Sequence, residues 1–507
     1  MASLAQLPSE ILLQIIEYLP IPSIAALIQT SRGWHQFIDH GHQDHIYQSK
    51  AGCYPASSRD IASFLKHSPS FTGYLDDVST WKQLCKKQSL LMRNWTCDRP
   101  MVRESLIHVR RNAVWRFRPD FENRWFMSTS VSGGIAVTDM DTGQRLWHLP
   151  EDFVRPYAHL EYDKGWAVWD KGENALEIWK VVQSEGERGQ FEQVAILHHD
   201  CETRGFHLRY PTLCVVSTQG QAFVYDLSQE TSRLHTEFNI RTGAVGHLCQ
   251  EDKAVMYSFG TEGYHFHSKE TGGLLGILEP KTCTTHVCHI RHPLLTPGYK
   301  HAQVEDSPSP PYLPGPPTRD HLVRLELDSG PHSRHTADYL SPEDDEWGAG
   351  SLFGKIMVGV SKSGRVIICS DWPEAIRSRE RAAAVSTIIE CEANPSNFHL
   401  GGWLSINHNR VLFEVADSLY ILTLPEDGMP FVHQPQPIFA TPLSASQQHN
   451  IPASWMGVFD DCIMSTFALL CRRYERIDPT QSENEAIYHI RTYATKAIRV
   501  MSFTPDV

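Results

Sequence analysis

Between Cys283 and His292 the chain reads Cys-Thr-Thr-His-Val-Cys-His-Ile-Arg-His, residue types that could hold a metal ion. Thiolates and imidazoles are ordinary zinc ligands, but a zinc site needs its ligands on one centre. In a strand, Cys283 and His289 face one side while His286, Cys288 and His292 face the other. No metal is therefore expected. A second constellation is cationic. Arg204, Arg241 and Lys281 each precede an alternating stretch, namely 205–209, 244–248 and 284–290. Side by side they would bind phosphate or carboxylate; apart they are solvated turn residues. The acidic run Glu343-Asp344-Asp345-Glu346 reads as a solvated loop. No Gly-x-x-x-x-Gly-Lys phosphate loop, His-Glu-x-x-His helix or Gly-x-Ser-x-Gly elbow occurs, so no catalytic residue and no cofactor is assigned.

What these residues can do depends on the elements that carry them. The chain opens on helices. Apolar residues at 7, 11, 12, 15, 16 and 19 recur at helical spacing. Pro8 suits a first turn, where its missing N–H would be unpaired anyway. Pro20 and Pro22 are expected to stop the helix. A second helix would carry Ile24, Leu27 and Ile28, and a third Trp34, Phe37 and Ile38. Three helices this short cannot bury all that surface among themselves. Part of it should meet another protein.

The order Leu7-Pro8-x-Glu10-Ile11, then Tyr18-Leu19-Pro20, then Ser31-Arg32-x-Trp34 closely resembles the F-box. The resemblance covers about the first 45 residues. It departs from the family at Ser23-Ile24, where an acidic residue often precedes the second-helix leucine. It implies a helix bundle that docks on the Skp-type adaptor of cullin-based ubiquitin ligases. The docking residues it implies are Leu7, Pro8, Ile11, Leu12, Ile15, Leu19, Pro20, Leu27 and Trp34. Further on, Trp81-Lys82-x-Leu84 and the closing Asn94-Trp95 look like the linker helix of F-box WD-repeat proteins. Trp81, Leu84, Leu91 and Trp95 fall near one stripe of that helix.

From about residue 107 the period changes to two, with short strands broken by Gly and Asp-x-x-Thr-Gly turns. His207–Leu234 aligns with His247–Leu274 over 28 positions at an offset of 40. His207-Leu208 falls on His247-Leu248, and Gly220 on Gly260. Four strands in about 40 residues signal a propeller blade. Third strands of seven blades are read at 135–140, 176–181, 222–227, 263–267, 322–328, 365–370 and 418–424. Residues 461–471 with 486–492 leave an eighth blade, or a ring closure, open. Gly-His and Trp-Asp pairs are mostly missing, so the region resembles a diverged WD-repeat or quinoprotein-like propeller. The Pro-rich stretch at about 303–319 is expected to loop out with polyproline character.

The fold class expected is thus α+β and multidomain. An F-box at 1–45 and a helical linker at 46–106 precede an all-β propeller of seven blades, with eight open, at 107–507. Composition fits this size: 507 residues with 41% apolar and 21% charged suit two or three folded domains. No run of about 18 apolar residues and no secretory pattern are seen, so a cytoplasmic or nuclear site is expected. The twelve cysteines then read as reduced thiols. A net charge of −13 argues against a general nucleic-acid binder.

The resemblance implies a non-catalytic substrate receptor of a Skp-cullin-F-box ubiquitin ligase. Related F-box propellers read phosphorylated target segments with a cation cluster, and by topology Arg204, Arg241 and Lys281 are the residues such a site would use here. A scaffold acting outside proteolysis and a quinoprotein-like enzyme are the alternatives.

Overall fold

The computed structural model describes residues 7–51, 60–66, 70–109, 113–184, 187–228, 233–240, 245–291, 304–305, 312–330, 341, 343–391, 403–415, 418–425, 437–443, 453–476 and 488–505. Two compact units result. One takes the chain up to Val102 together with Phe459–Cys462 and the segment from Ser502 on; the other takes Arg103–Val458 and Ile463–Met501.

The first unit is helical. Helices α1 (Ser9–Glu17), α2 (Ile21–Thr30), α3 (Arg32–His35), α4 (Gln43–Lys50), α5 (Ile61–Lys66) and α6 (Trp81–Thr96) follow in order. Pro8 is the N-cap of α1, and its carbonyl accepts from the N–H groups of Ile11 and Leu12. Pro20 caps α2 and Pro22 lies in that helix's first turn, so Pro22 opens α2 and does not end α1. The Ser31 hydroxyl accepts from the Trp34 N–H and starts α3. One core forms from Ile16, Ile24, Ile38, Ile46, Tyr47, Trp81, Leu84 and Cys85. Thr80 and Gln83 make a reciprocal capping box at the start of α6.

The C-terminal pieces belong to this unit for identifiable reasons. Phe503 stacks on Trp95 at 3.5 Å, and Asn94 donates to the Phe503 carbonyl at 2.6 Å. The Asp461 carboxylate accepts from the N–H groups of Phe71 and Thr72 at 3.0 Å and from the Thr72 hydroxyl at 2.7 Å.

Among the described residues the second unit is a propeller of seven blades, formed by six hydrogen-bonded sheets. Blade 1 comprises Val114–Asp120, Trp125–Ser130, Ile135–Asp139 and Arg145–Leu149, paired in that order. Blade 2 runs from Leu160–Asp163 to Phe191–His198, blade 3 from Thr203–Arg209 to Arg233–Asn239, and blade 4 from Leu248–Gln250 to Leu274–Leu278. Blade 5 runs from Trp347–Phe353 to Ser386–Glu390, and blade 6 from Leu404–Asn407 to Ile438–Pro442. Blade 7 is built from both ends of the unit. Met456–Val458, Cys462–Arg476 and Tyr488–Ser502 are completed by Val102–Ile107 as the next strand out. The strand pattern therefore starts at Val102, ahead of the expected 107. First strands of successive blades pack against one another from 1 to 7. Trp455, entering blade 7, closes the ring on Phe117 of blade 1 at 4.3 Å.

Seven is the expected number of blades, but the membership differs. The segment read as the fifth blade's third strand forms Val323–Ser329, which never joins four strands of its own. It pairs with Val287–Arg291 and with the outer strand of blade 6, while Val287–Arg291 pairs in parallel with the outer strand of blade 5. Blades 5 and 6 are thereby fused into one ten-stranded sheet. Cys288, Ile290 and Leu325 of the bridge share the core of those blades. The stretch left open as an eighth blade is blade 7.

Two loops are also corrected. Tyr312–Thr318 is an edge strand beside Val102–Ile107 despite its prolines. An edge strand needs donors on one side only, so proline is tolerated there. The acidic run is not wholly solvated. Asp345 is buried, bonded to Arg365 at 2.9 Å and to the Ser363 hydroxyl at 2.5 Å, and Glu346 pairs with Lys362.

Candidate interaction surfaces

Helix α1 carries apolar side chains on two sides. Leu12 and Ile16 point inward and are 6% and 1% exposed. Leu7, Ile11, Ile15 and Tyr18 are 40%, 42%, 40% and 88% exposed. Their spacing of four, four and three keeps them on one face of the helix. Pro8 and Pro20 are exposed beside them, and Leu19, Leu27 and Trp34 are half-buried against the core. Of the docking residues expected from sequence, Leu12 is thus placed inside the bundle, and the open stripe is Leu7, Ile11 and Ile15.

Of the cationic trio, Arg204 and Lys281 lie among the described residues. Arg204 is exposed and its Nε donates to the Val245 carbonyl at 3.4 Å. It lines a cavity of about 400 Å³ with Arg155, His159, Asp170, Glu173 and Glu202, a lining of mixed sign. Arg155 is paired with Asp170 there. Lys281 lies in the turn Pro280–Thr282, after which the chain runs to the bridge strand Val287–Arg291. It therefore does not stand before an inner strand, since blade 5 begins at Trp347. Arg241 lies outside the described residues. No group of metal-ligating side chains is found among the described residues. Cys283 and Cys288 sit in separate cores, and His292 lies outside the described residues.

A polar ring that sequence reasoning did not single out lies on the innermost strands. Arg116 and Arg118 come from blade 1, His159 and Glu161 from blade 2, His207 from blade 3 and His247 from the entrance to blade 4. Arg118 bonds Glu161 at 2.7 Å, and Glu161 bonds His159 at 2.9 Å. Arg116 lies over the Trp403 ring at 4.5 Å and Arg118 over Trp455 at 4.9 Å. His159 stacks on Phe206 at 4.3 Å.

Burial governs the charges here. It pushes Arg116 down to about 9, helped by its neighbour Arg118. Burial, with Arg116, pulls His159 down to about 3 even though Glu161 opposes the shift. His247 is lowered to about 4 by burial, then by His207 and Arg116. His207 is lowered by burial against the opposing pull of Glu161. Burial alone would raise Glu161, but Arg118 and His159 hold it below the usual carboxylate range. At neutral pH the ring therefore holds two guanidiniums, one carboxylate and neutral imidazoles. A signal for two of these residues was in the repeat, where His207 and His247 occupy equivalent positions 40 residues apart.

Comparison with known proteins bears on both units. The F-box-like family matches residues 4–44, and this segment carries an F-box-like domain. No curated protein matches the chain. Among solved structures, Sqt1 of Saccharomyces cerevisiae is similar with a TM-score of 0.44 and 6% identity, covering 78% of this chain and 97% of its own. The computationally designed protein Ika8 gives 0.40 and 14%, covering 70% and 93%. BamB of Moraxella catarrhalis gives 0.35 and 11%, covering 69% and 93%. The propeller assignment rests on the seven blades among the described residues and their ring closure.

Proposed function

We propose that this chain is the target-recognition subunit of a Skp-cullin-F-box ubiquitin ligase. The observation that carries the reading is the open apolar stripe of α1 within a segment that matches the F-box-like family. An adaptor seated on Leu7, Ile11 and Ile15 removes apolar surface from water, worth roughly 1.5–3 kcal/mol for each large side chain fully buried. The propeller holds the target. The chain then acts by proximity, bringing target lysines to a conjugating enzyme carried by the assembly. No helix among the described residues is long and apolar enough to cross a membrane.

Co-expression with a Skp-type adaptor and a cullin tests this. The wild-type chain should co-purify with both, and Leu7→Ala combined with Pro8→Ala should lose both while the propeller stays folded. Undiminished adaptor binding by the double variant overturns the docking assignment. Proteins captured through the propeller should accumulate when the proteasome is blocked; if none does, the ligase role fails while adaptor docking stands.

A further inference from the structure

The connection from blade 1 to blade 2 exposes two aromatic side chains next to a cavity. Val154 and Ala158 of this connection are tucked into the core between the two blades, and Phe153 and Tyr157 are left outside, 69% and 51% exposed. They are the exposed large aromatics of the second unit among the described residues. The Tyr157 ring is held edge-on to Trp115 at 5.1 Å. Arg155 stands between the two and lines the cavity of about 400 Å³ shared with Arg204. That volume falls in the range of roughly 300–1,000 Å³ usual for ligand sites.

Three stretches of backbone build the cavity, and hydrogen bonds tie them to one another. The His159 N–H donates to the Asp170 carboxylate at 2.6 Å, which fixes the entrance of blade 2 to the turn 170–174. The Thr203 N–H donates to the Glu173 carbonyl at 2.7 Å, which fixes that turn to the entrance of blade 3. Adjacent blades thus hold the lining residues around one space. Gly172 lies in the turn and lines the cavity, and a Cβ added there would meet no atom within 4 Å.

The charges of the lining decide what fits. Asp170 is taken up by Arg155 and by the His159 N–H. Arg204 turns its Nε to the Val245 carbonyl at 3.4 Å. Glu173 and Glu202 are exposed and form no ion pair among the described residues. Three carboxylates face two guanidiniums, so a negative charge is in excess. A phosphorylated segment, which Arg204 alone would suit, would set its charge against the two unpaired carboxylates, and like charges at an interface repel. The net charge of −13 on the whole chain repels it further at long range. Complementarity therefore selects a cation. The exposed aromatic rings select the same kind of side chain, since their faces attract a cationic head and pack on an aliphatic stem.

We propose that this cavity receives a lysine or arginine side chain from an extended segment of the target. Glu173 and Glu202 meet the cationic head, and Phe153 and Tyr157 cover the residues beside it. The inference rests on the target-recognition reading and names the class of target, a basic segment.

Fluorescence anisotropy of labelled, end-capped nonapeptides with the full-length chain tests this. The central residue is arginine, glutamine or phosphoserine, set between two leucines in a Gly-Ser background. The arginine peptide should bind saturably at one per chain, and the other two at least about tenfold more weakly. Glu173→Gln with Glu202→Gln should weaken the arginine peptide at least about tenfold. Gly172→Trp places a large side chain in open space and should block the peptide without lowering the melting temperature. Phe153→Ala should weaken binding less than the paired Glu variant. Adaptor capture by every one of these variants should equal that of the wild type, so failure of the peptide site leaves the ligase reading standing, and failure of adaptor docking leaves the peptide site standing. No saturable binding of the arginine peptide overturns the site. Preference for phosphoserine reverses its sign and overturns the proposal. Undiminished binding by the paired Glu variant, or by Gly172→Trp, shows that the peptide sits elsewhere and overturns it as well.

Discussion

The two units leave opposite kinds of surface unsatisfied. The helical unit has apolar side chains that its core does not cover, on the outside of α1. The propeller has polar atoms without partners, on the inside of its innermost strands. The difference follows from how each fold buries surface. A short helix in a small bundle has more apolar positions than the bundle can enclose. A ring of sheets packs its large side chains between blades and brings the first strands close together at the axis, where polar groups from separate blades must bond each other. Exposed apolar area suits a macromolecule. Buried, unpaired nitrogens suit something small enough to enter, such as an ion or water.

The comparison breaks most easily on α1, where adjacent residues face opposite ways. Ile11→Asp with Ile15→Asp should abolish adaptor capture, a loss of at least about 4 kcal/mol if each side chain is a hot spot. The melting temperature of the free chain should hardly move, because both positions are open to solvent. Ile16→Ala should do the reverse. Its side chain is buried in the helical core, so truncation should cost about 2–5 kcal/mol of stability in that unit. Equal destabilisation by both variants would mean that α1 has no free face.

In the propeller the matching break is Arg118→Leu. Arg118 and Glu161 are 12% and 9% exposed, so the variant strands a buried carboxylate. A loss of about 3–5 kcal/mol is expected, and Glu161→Gln added to it should recover part. Chemical denaturation followed by tryptophan fluorescence would read this. A loss below about 1 kcal/mol would show that solvent already screens the pair.

How much of this was legible depends on whether the signal is local. The α1 pattern is local: its apolar spacing and Pro8 are contained in a few residues. The blade repeat was visible for the same reason, and six of the seven segments read as third strands occupy that place. What failed was non-local. Val287–Arg291 and Val323–Ser329 alternate like blade strands, and only the outer edges of blades 5 and 6 decide that they form a bridge. Pairing of Val102–Ile107 with Tyr488–Ser502 joins residues nearly 400 positions apart, beyond the reach of periodicity. Tyr312–Thr318 was hidden by its prolines, because sequence does not say that a strand will lie on an edge. The polar ring was half legible. His207 and His247 marked the repeat, but Arg116, Arg118, His159 and Glu161 come together only when blades 1 and 2 stand side by side.

The smallest expected effect is a pH dependence confined to that ring. His159, His207 and His247 have folded pKa values below that of a free imidazole, about 3 for His159 and about 4 for His247. A free imidazole titrates near 6.5. As pH falls below about 6.5 the unfolded chain therefore takes up protons before the folded one, and stability falls with it. The loss continues until pH reaches the folded values, so the window runs from about 6.5 down to about 4 for His247. Glu161 adds nothing in the upper part of that window. Its folded pKa is depressed, so its contribution is complete above the ordinary carboxylate range and is lost only as pH falls further. Melting temperatures in phosphate-free buffers between pH 7 and 5 should decline, and His207→Gln with His247→Gln should flatten the decline. An unchanged slope in the double variant would mean that these imidazoles are not what makes the ring sensitive to acid, and that the burial which distinguishes it from the open face of α1 has little thermodynamic weight.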